Sequence, residues 1–140
     1  MNIIQKIDAV RTAMDLKHDN GTISKKSTIP NAGLGLFATI EFKKNDFVDF
    51  YTGEIIFDTN KLPTDTMYLF YNEKGKFYID GKNGNSIKYI NHQEAGRCNC
   101  AYKYYKLPDL NIYYPIVVCL KDVAVGQELF CDYGKYYNFN

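Results

Sequence analysis

The pattern of hydrophobic and polar residues changes at Gly21. Residues 2–17 carry apolar side chains at helical spacing, with charged residues between them. Such a stripe predicts an amphipathic helix that ends at Asn20-Gly21, because Asn and Gly favour the backbone conformation that terminates helices. We expect this helix to pack on the rest of the domain, with an interaction helix as the alternative. Its apolar positions are Ile3, Ile7, Val10 and Met14.

From Gly21 onward, short apolar and aromatic runs alternate with turn signals, a pattern that predicts β-strands. Many short strands with few helices indicate a small, mostly β domain. Residues 84–101 follow neither pattern, because they are interrupted by Gly and rich in Asn, and we predict a functional loop there. The predicted strands are Thr22–Lys25, Leu36–Thr39, Asp46–Phe50, Met67–Tyr71, Lys76–Ile79, Ile112–Leu120 and Glu128–Cys131.

The composition indicates one globular domain. The 140 residues are 46% hydrophobic and 24% charged, which excludes a disordered chain. A net charge of +1 argues against a nucleic-acid binder that works by bulk charge, so we expect no direct nucleic-acid partner. Aromatic residues make up 16%, with 13 Tyr, 9 Phe and no Trp. Composition alone leaves open whether this excess reflects AT-rich coding or a site built from phenols.

Targeting and cysteine signals predict an intracellular protein with no membrane partner. The start lacks the basic region and the long apolar run of a signal peptide, and no apolar stretch approaches the roughly 20 residues that span a bilayer. The four cysteines are therefore expected to be reduced thiols. His92, Cys98 and Cys100 lie close together, which raises a zinc site as an alternative. We expect no metal, because a Cys-x-Cys pair without a second pair departs from structural zinc spacing.

Three separated segments carry residue types suited to a functional site. Residues 31–38 include Gly33 and Gly35, which let a backbone approach a ligand closely. The segment from Tyr78 to His92 ends on an Asn-His pair, which sets hydrogen-bond donors and acceptors side by side. Residues 128–134 end on a Tyr before Gly, where the hydroxyl can project into a cleft. Each segment is weak evidence alone, since the Gly pair is neither a dinucleotide fingerprint nor a P-loop.

Taken in this order, the segments resemble the SET domain of protein lysine methyltransferases, from about Ser24 to Tyr137. The family's ordered motifs are a Gly-x-Gly segment followed by Phe-Ala, a Tyr-x-Gly-Glu segment, an aromatic-x-Asp strand that leads to Asn-His, and a closing Glu-Leu-x-x-Asp-Tyr. Their matches here are Gly33–Ala38, Tyr51–Glu54, Tyr78–His92 and Glu128–Tyr133.

The resemblance implies a SET-domain fold, which is mostly β. Its several short-stranded sheets would be joined by a knot-like C-terminal active-site segment. The domain would cover residues 22–140 and follow an N-terminal helical extension at residues 1–21. Without a long N-terminal extension or a cysteine-rich flank, the sequence resembles the minimal SET proteins, which include viral and bacterial ones.

The resemblance implies methyl transfer from S-adenosylmethionine to the ε-amine of a lysine in a protein substrate, with S-adenosylhomocysteine as the product. Attack is in line, so the enzyme mainly aligns two reactants across a narrow channel. The lysine pKa of about 10.4 must fall there, which desolvation and the positive sulfonium both favour. A histone tail such as that of H3, which would imply a nuclear location on chromatin, and a non-histone protein are both candidate substrates. The alternative function is a catalytically weak SET-like module that binds lysine-containing peptides.

The resemblance also implies roles for individual residues. Tyr133 would orient the methyl group and the amine, and Tyr51 and Tyr102 would be further catalytic residues. Tyr133 would not act as a general base, because a phenol with a pKa of about 10 is a poor base at pH 7. The small Cys131 would leave room for more than one methyl group unless Tyr102 fills the space. The implied cofactor-binding residues are Gly33, Leu34, Gly35, Tyr68, Asn91 and His92. The implied channel residues are Tyr51, Tyr102, Cys131, Tyr136 and Tyr137.

The segment after His92 departs from the family pattern of Asn-His-Ser-x-x-Pro-Asn. The Pro is missing, and the loop is two residues longer if Asn99 is the second Asn. The roles of Asn99 and Cys100 therefore stay open. The mouth of the channel would be closed either by the aromatic residues 136–139 or by the second subunit of a homodimer.

Overall fold

A computed structural model describes residues 1–15 and 21–132. Over these residues the protein is mostly β, as predicted, with one α-helix and ten short strands. The helix α1 is Ile3–Asp15. The strands are β1 Thr22–Lys26, β2 Leu34–Ala38, β3 Phe47–Phe50, β4 Glu54–Ile56, β5 Leu69–Asn72, β6 Phe77–Asp80, β7 Asn91–His92, β8 Cys100–Lys106, β9 Tyr113–Cys119 and β10 Phe130–Cys131.

The strands form several small sheets. Two of them have three antiparallel strands, in the orders β3-β9-β8 and β4-β6-β5, and β1 pairs with β2. The strand β9 lies between β3 and β8 and is almost entirely buried, which explains its continuous apolar run. The short strands β7 and β10 pair in parallel, so the C-terminal motif lies beside the Asn-His pair.

Aromatic side chains join the two three-stranded sheets in one core. The ring of Tyr114 on β9 lies 5.8 Å from that of Phe50 and 6.2 Å from that of Phe77, measured between centroids. Tyr114 is fully buried, and its hydroxyl donates a hydrogen bond to the carbonyl of Tyr51. The phenol thus fills apolar space without leaving its polar end unpaired.

The helix packs on this β-structure, as expected. Ile7 is fully buried and belongs to the same core cluster as Leu36 and Val48. Residues 16 and 17 of the predicted helix and the predicted stop at Asn20 lie outside the described residues. The division of the chain into 1–21 and 22–140 stays a prediction. No helix in the described part of the chain is long and apolar enough to cross a membrane.

Sequence reasoning missed the strands β4, β7 and β8. The prediction of a loop over residues 84–101 is also wrong in part, because that segment contains single 3₁₀ turns at Ser86–Tyr89 and Ala95–Arg97, the strand β7 and the start of β8. The strand β8 mixes Tyr and Lys from Tyr102 to Lys106 and is exposed at its last two residues, so its apolar signal is weak. Its seven residues pair in register with β9, and that tertiary pairing defines the strand.

The last predicted strand, Glu128–Cys131, is shorter in the structure. Only Phe130–Cys131 pairs with β7. The two preceding residues bond to β2 instead, since the amide of Leu129 donates to the carbonyl of Leu36 at 2.8 Å and Glu128 bridges Phe37. The C-terminal motif therefore joins β2 to β7, which brings distant parts of the sequence together.

Candidate active site

The Gly-x-Gly segment forms the start of β2 and borders an open cleft. Gly33 has φ +72°, and a Cβ placed there would have nothing within 4 Å. A positive φ without a steric penalty requires glycine, and its bare backbone faces free space. The cleft has a volume of about 830 Å³ and is lined by residues 26–31 together with Gly33 and Leu34. Its walls therefore include the segment that the sequence assigns to a cofactor.

Gly35 is a glycine for a different reason. A Cβ at this position would overlap Oε2 of Glu128 and come within 3.3 Å of the Ser27 Cα. The missing side chain thus makes room for a carboxylate. Glu128 is 6% exposed and lies directly behind the Gly-x-Gly segment.

The Glu128 carboxylate accepts hydrogen bonds from three residues in two separate segments of the chain. Oε1 accepts from the amide and the hydroxyl of Thr28, at 2.8 and 2.7 Å. Oε2 accepts from the Ser27 hydroxyl at 2.7 Å and, at 3.4 Å, from Nδ2 of Asn91. Burial alone raises the pKa of Glu128, but these hydrogen bonds together lower the pKa below its ordinary value. The carboxylate is therefore ionised at neutral pH.

Asn91 connects the Asn-His pair to the Gly-x-Gly segment. Its Nδ2 donates to the carbonyl of Leu34 at 3.0 Å, across 57 positions of sequence. Its backbone lies in β7 opposite Phe130 of β10. Four predicted cofactor-binding residues, Gly33, Leu34, Gly35 and Asn91, are thus brought together.

His92 lies beside the end of the described chain. It is paired with Cys131 across the β7–β10 ladder, and its Nδ1 lies 3.8 Å from Oδ1 of Asp132. The His92 side chain is 47% exposed, whereas that of Asp132 is 10% exposed. The imidazole therefore faces solvent next to the residue that precedes Tyr133.

Asn99 fixes the C-terminal motif to the loop after His92. Its Nδ2 donates to the carbonyl of Glu128 at 2.9 Å, and its Oδ1 accepts from the amide of Phe130 at the same distance. A buried side chain with both ends bonded to backbone holds that backbone in one register. The role that the sequence left open for Asn99 is therefore a structural clamp.

An aromatic cluster lies where two of the predicted channel tyrosines meet. The ring centroids of Tyr51 and Tyr102 are 6.3 Å apart, and that of Phe70 lies 5.0 and 5.1 Å from them. We call Tyr51, Phe70 and Tyr102 the aromatic cluster. Sequence reasoning missed Phe70, although it stands in a predicted strand and directly follows Tyr68-Leu69.

Tyr68 is joined to this cluster through its backbone. Its carbonyl accepts a hydrogen bond from the Tyr51 hydroxyl, and a second at 2.9 Å from the amide of Gly81. The Tyr68 ring packs edge-on against Tyr89, and the Lys88 ammonium lies 5.4 Å from its centroid. Its assignment to the cofactor pocket stays a prediction.

Cys131 is fully buried, and burial raises the pKa of its thiol. The nearby Cys98, Cys119 and Asp132 raise this pKa further.

Cys100 and Cys119 lie opposite each other in the β8–β9 ladder, and their mutual hydrogen bond raises the pKa of Cys100. All four cysteines are free thiols. Among the described residues, no three His, Cys, Asp or Glu side chains are grouped so that they could hold a metal ion.

Three predicted site residues, Tyr133, Tyr136 and Tyr137, lie outside the described residues. The residues that sequence reasoning missed are chiefly Ser27, Thr28 and Glu128. Glu128 belongs to the closing motif, so its position was visible. Its partners at positions 27 and 28 were not, because about 100 positions of sequence separate them from Glu128.

Comparison with known proteins identifies the family. Residues 33–134 match the family model of the SET domain. The chain belongs to the SET-domain family. The N-lysine methyltransferase KMT5A of Xenopus tropicalis is 30% identical over 124 residues, which cover 79% of this chain and 35% of that protein. The histone-lysine N-methyltransferase EZH2 of Chaetomium thermophilum is 31% identical, over 78% of this chain and 8% of that protein.

Solved structures show the same fold. A chain of ctPRC2 in an autoinhibited conformation bound to S-adenosylmethionine has a TM-score of 0.72 and 26% identity, and covers 87% of this SET-domain chain and 16% of its own length. A humanized mutant of the Chaetomium thermophilum Polycomb Repressive Complex 2, bound to an inhibitor, has a TM-score of 0.74 and 28% identity, with the same coverage of 87% and 16%. This SET-domain chain spans about a third of the length of the KMT5A relatives.

These matches confirm the SET-domain fold that the sequence motifs implied. The four ordered motifs fall within or beside the residues matched by the family model. The knot-like part of that expectation involves residues beyond Asp132, which are outside those described.

The contact between Gly35 and Glu128 predicts a stability effect. Gly35→Ala displaces the carboxylate from its donors, and we expect it to lower the free energy of unfolding by about 1–3 kcal/mol. Gly96→Ala is the matched control, because a Cβ there meets nothing within 4 Å, and it should stay within about 0.5 kcal/mol of wild type. Urea unfolding measures both variants. Equal stability of the two would contradict the packing of Glu128 against Gly35.

Proposed function

We propose that the protein is an S-adenosylmethionine-dependent protein-lysine methyltransferase. The observation that carries the proposal is the convergence of Gly33–Gly35, Asn91 and the strand β10 in one place. Membership of the SET-domain family supports this reading. So does the similarity to relatives that are named lysine methyltransferases and to a structure bound to S-adenosylmethionine.

The described residues fit a cofactor of this kind. The cleft of about 830 Å³ falls within the roughly 300–1,000 Å³ of small-molecule sites. Gly33 offers bare backbone beside open space, as a closely bound ligand requires. When bound, S-adenosylmethionine would supply an activated methyl group and a positive sulfonium. We assign its binding to Gly33, Leu34, Gly35, Asn91 and His92, with Tyr68 as a further candidate.

The aromatic cluster suits the lysine. Ring faces attract a cation and exclude water, and desolvation lowers the pKa of an amine toward neutrality. The hydroxyl of Tyr51 donates to the Tyr68 carbonyl, which fixes the orientation of the Tyr51 ring within the cluster. We assign Tyr51 and Tyr102 to the channel and Tyr133 to orienting the amine for in-line attack.

The substrate follows from this site only as a class, namely a protein that presents a lysine. A histone tail is the first candidate, because the EZH2 relative is named a histone-lysine methyltransferase. We expect a nuclear, chromatin-associated location if a histone is the substrate. The proposed mouth residues Tyr136 and Tyr137, or a second subunit, would complete the channel.

Methyl transfer is tested with isotopically labelled S-adenosylmethionine and an array of lysine-bearing histone and non-histone peptides. We expect labelled lysine in at least one peptide, and a loss of about 100-fold or more in rate for Tyr133→Phe, because the variant lacks the orienting hydroxyl. Tyr71→Phe is the matched control, since Tyr71 lies exposed on β5, and it should keep its activity.

Two results would contradict this account. Full activity of a folded Tyr133→Phe variant would exclude the assigned role. Cofactor binding without transfer to any peptide would favour the alternative, a SET-like module that binds lysine-containing peptides.

Cys131 predicts the number of methyl groups transferred. We assign Cys131 to the channel, where a side chain as small as cysteine leaves room for a methylated amine to turn and react again unless Tyr102 fills the space. We expect di- or trimethyl-lysine from wild type and mainly monomethyl-lysine from Cys131→Tyr, as resolved by mass spectrometry. Cys98→Ala, which changes a buried cysteine bonded to the carbonyls of Gln93 and Glu94, should keep the wild-type product pattern. Monomethyl-lysine alone from wild type and from Cys131→Tyr would show that this prediction is wrong.

A further inference from the structure

The buried Glu128 carboxylate, to which we assign no part in the transfer chemistry, touches two of the predicted cofactor-binding residues. It lies against Gly35 and accepts hydrogen bonds from Ser27, Thr28 and Asn91. Ser27 and Thr28 also line the cleft beside Gly33 and Leu34. One side chain thus contacts the wall of the cleft and the Asn-His pair simultaneously.

The acceptor character of Glu128 fixes the orientation of the Asn91 amide. The Nδ2 of Asn91 faces two acceptors, the Leu34 carbonyl and Glu128 Oε2. If the Asn91 amide were rotated by 180°, its Oδ1 would face the Leu34 carbonyl and Glu128 Oε2. All three oxygens are acceptors, so no hydrogen bond would form. In the observed orientation Oδ1 accepts no hydrogen bond from any described residue, and it is therefore available to a donor group of a ligand.

We propose that Glu128 is a positioning residue for the cofactor, which holds the wall of the cleft and the Asn91 amide in the orientation that receives S-adenosylmethionine. This inference rests on the proposed function. Glu128 acts through Asn91 and through the segment 27–35, and it touches neither the methyl group nor the amine.

The donor set explains why this position requires a carboxylate. The amide of Thr28, the hydroxyls of Ser27 and Thr28, and Nδ2 of Asn91 all donate to Glu128. A glutamine at the same position would direct its own NH₂ group at one pair of these donors. With the NH₂ group at the Oε2 position, the Asn91 amide would lose one of the two acceptors that orient it. With the NH₂ group at the Oε1 position, the amide of Thr28 in the wall of the cleft would lose its acceptor.

The test uses Glu128→Gln, which keeps the shape of the side chain, and Glu73→Gln as the matched control, because Glu73 is exposed on the turn between β5 and β6. Calorimetric titration with S-adenosylhomocysteine measures affinity, and steady-state kinetics measure KM for S-adenosylmethionine and kcat. We expect the Kd and KM of Glu128→Gln to rise at least about tenfold while kcat at saturating cofactor falls less. Glu73→Gln should match wild type in all three.

A second variant covers the case in which Glu128→Gln fails to fold. Thr28→Val removes one hydroxyl donor at an exposed position, and we expect its Kd to rise about threefold. An unchanged affinity in Thr28→Val would then overturn the inference.

The remaining outcomes are also decisive. Wild-type affinity in a folded Glu128→Gln variant overturns the positioning role and leaves the proposed function standing. A fall in kcat or in stability with an unchanged KM also overturns the positioning role, because that result is expected of a merely structural residue. A wild-type chain that does not bind S-adenosylhomocysteine contradicts the proposed function, and the positioning role fails with it.

Discussion

A carboxylate that is taken out of water must be surrounded by donors, and the candidate site is built around one that meets this requirement. The donors to Glu128 come from residues 27–28 and from Asn91, which are separated from it by about 100 and 37 positions of sequence. Because a buried charge without partners is costly, the segments cannot separate independently. The Gly-x-Gly segment, the Asn-His pair and the C-terminal motif therefore hold a common geometry, and Gly35 is the position where the carboxylate finds room.

The aromatic cluster forms a second layer with a different physical task. Around Glu128 the structure satisfies charge and hydrogen bonds, whereas Tyr51, Phe70 and Tyr102 bring three aromatic rings together. The backbone of Tyr51 also accepts the hydroxyl of Tyr114 in the core, so the cluster is anchored to the same packing that joins the two three-stranded sheets. Transfer from a charged cofactor to a desolvated amine needs both a polar site for the cofactor and an apolar one for the amine, which are the roles that we propose for these two places.

The sequence predicted those features that depend on local pattern or on motifs. The mostly β class, the helix with Ile7 inward and most strands followed from periodicity, and the meeting of Gly33–Gly35 with Asn91 followed from the resemblance. The strand β8 was not predictable, because its mixture of Tyr and Lys becomes a strand only against β9. The hydrogen bonds to Glu128 were missed for a related reason, since the sequence around a carboxylate does not reveal which distant residues will donate to it. Tyr51 and Tyr102 meet in the aromatic cluster, and the roles of these two tyrosines and of Tyr133 stay proposals.

The central claim is that separated segments form one cofactor site around Glu128. The most direct measurement is a titration of the isotopically labelled protein with S-adenosylhomocysteine, followed by the chemical shifts of its backbone amides. The account predicts that the largest shifts occur at Gly33, Gly35 and Asn91, and that the turn around Glu73 and Gly75 changes little. Saturable shifts that leave Gly33, Gly35 and Asn91 unmoved, or no shifts at all, would contradict it.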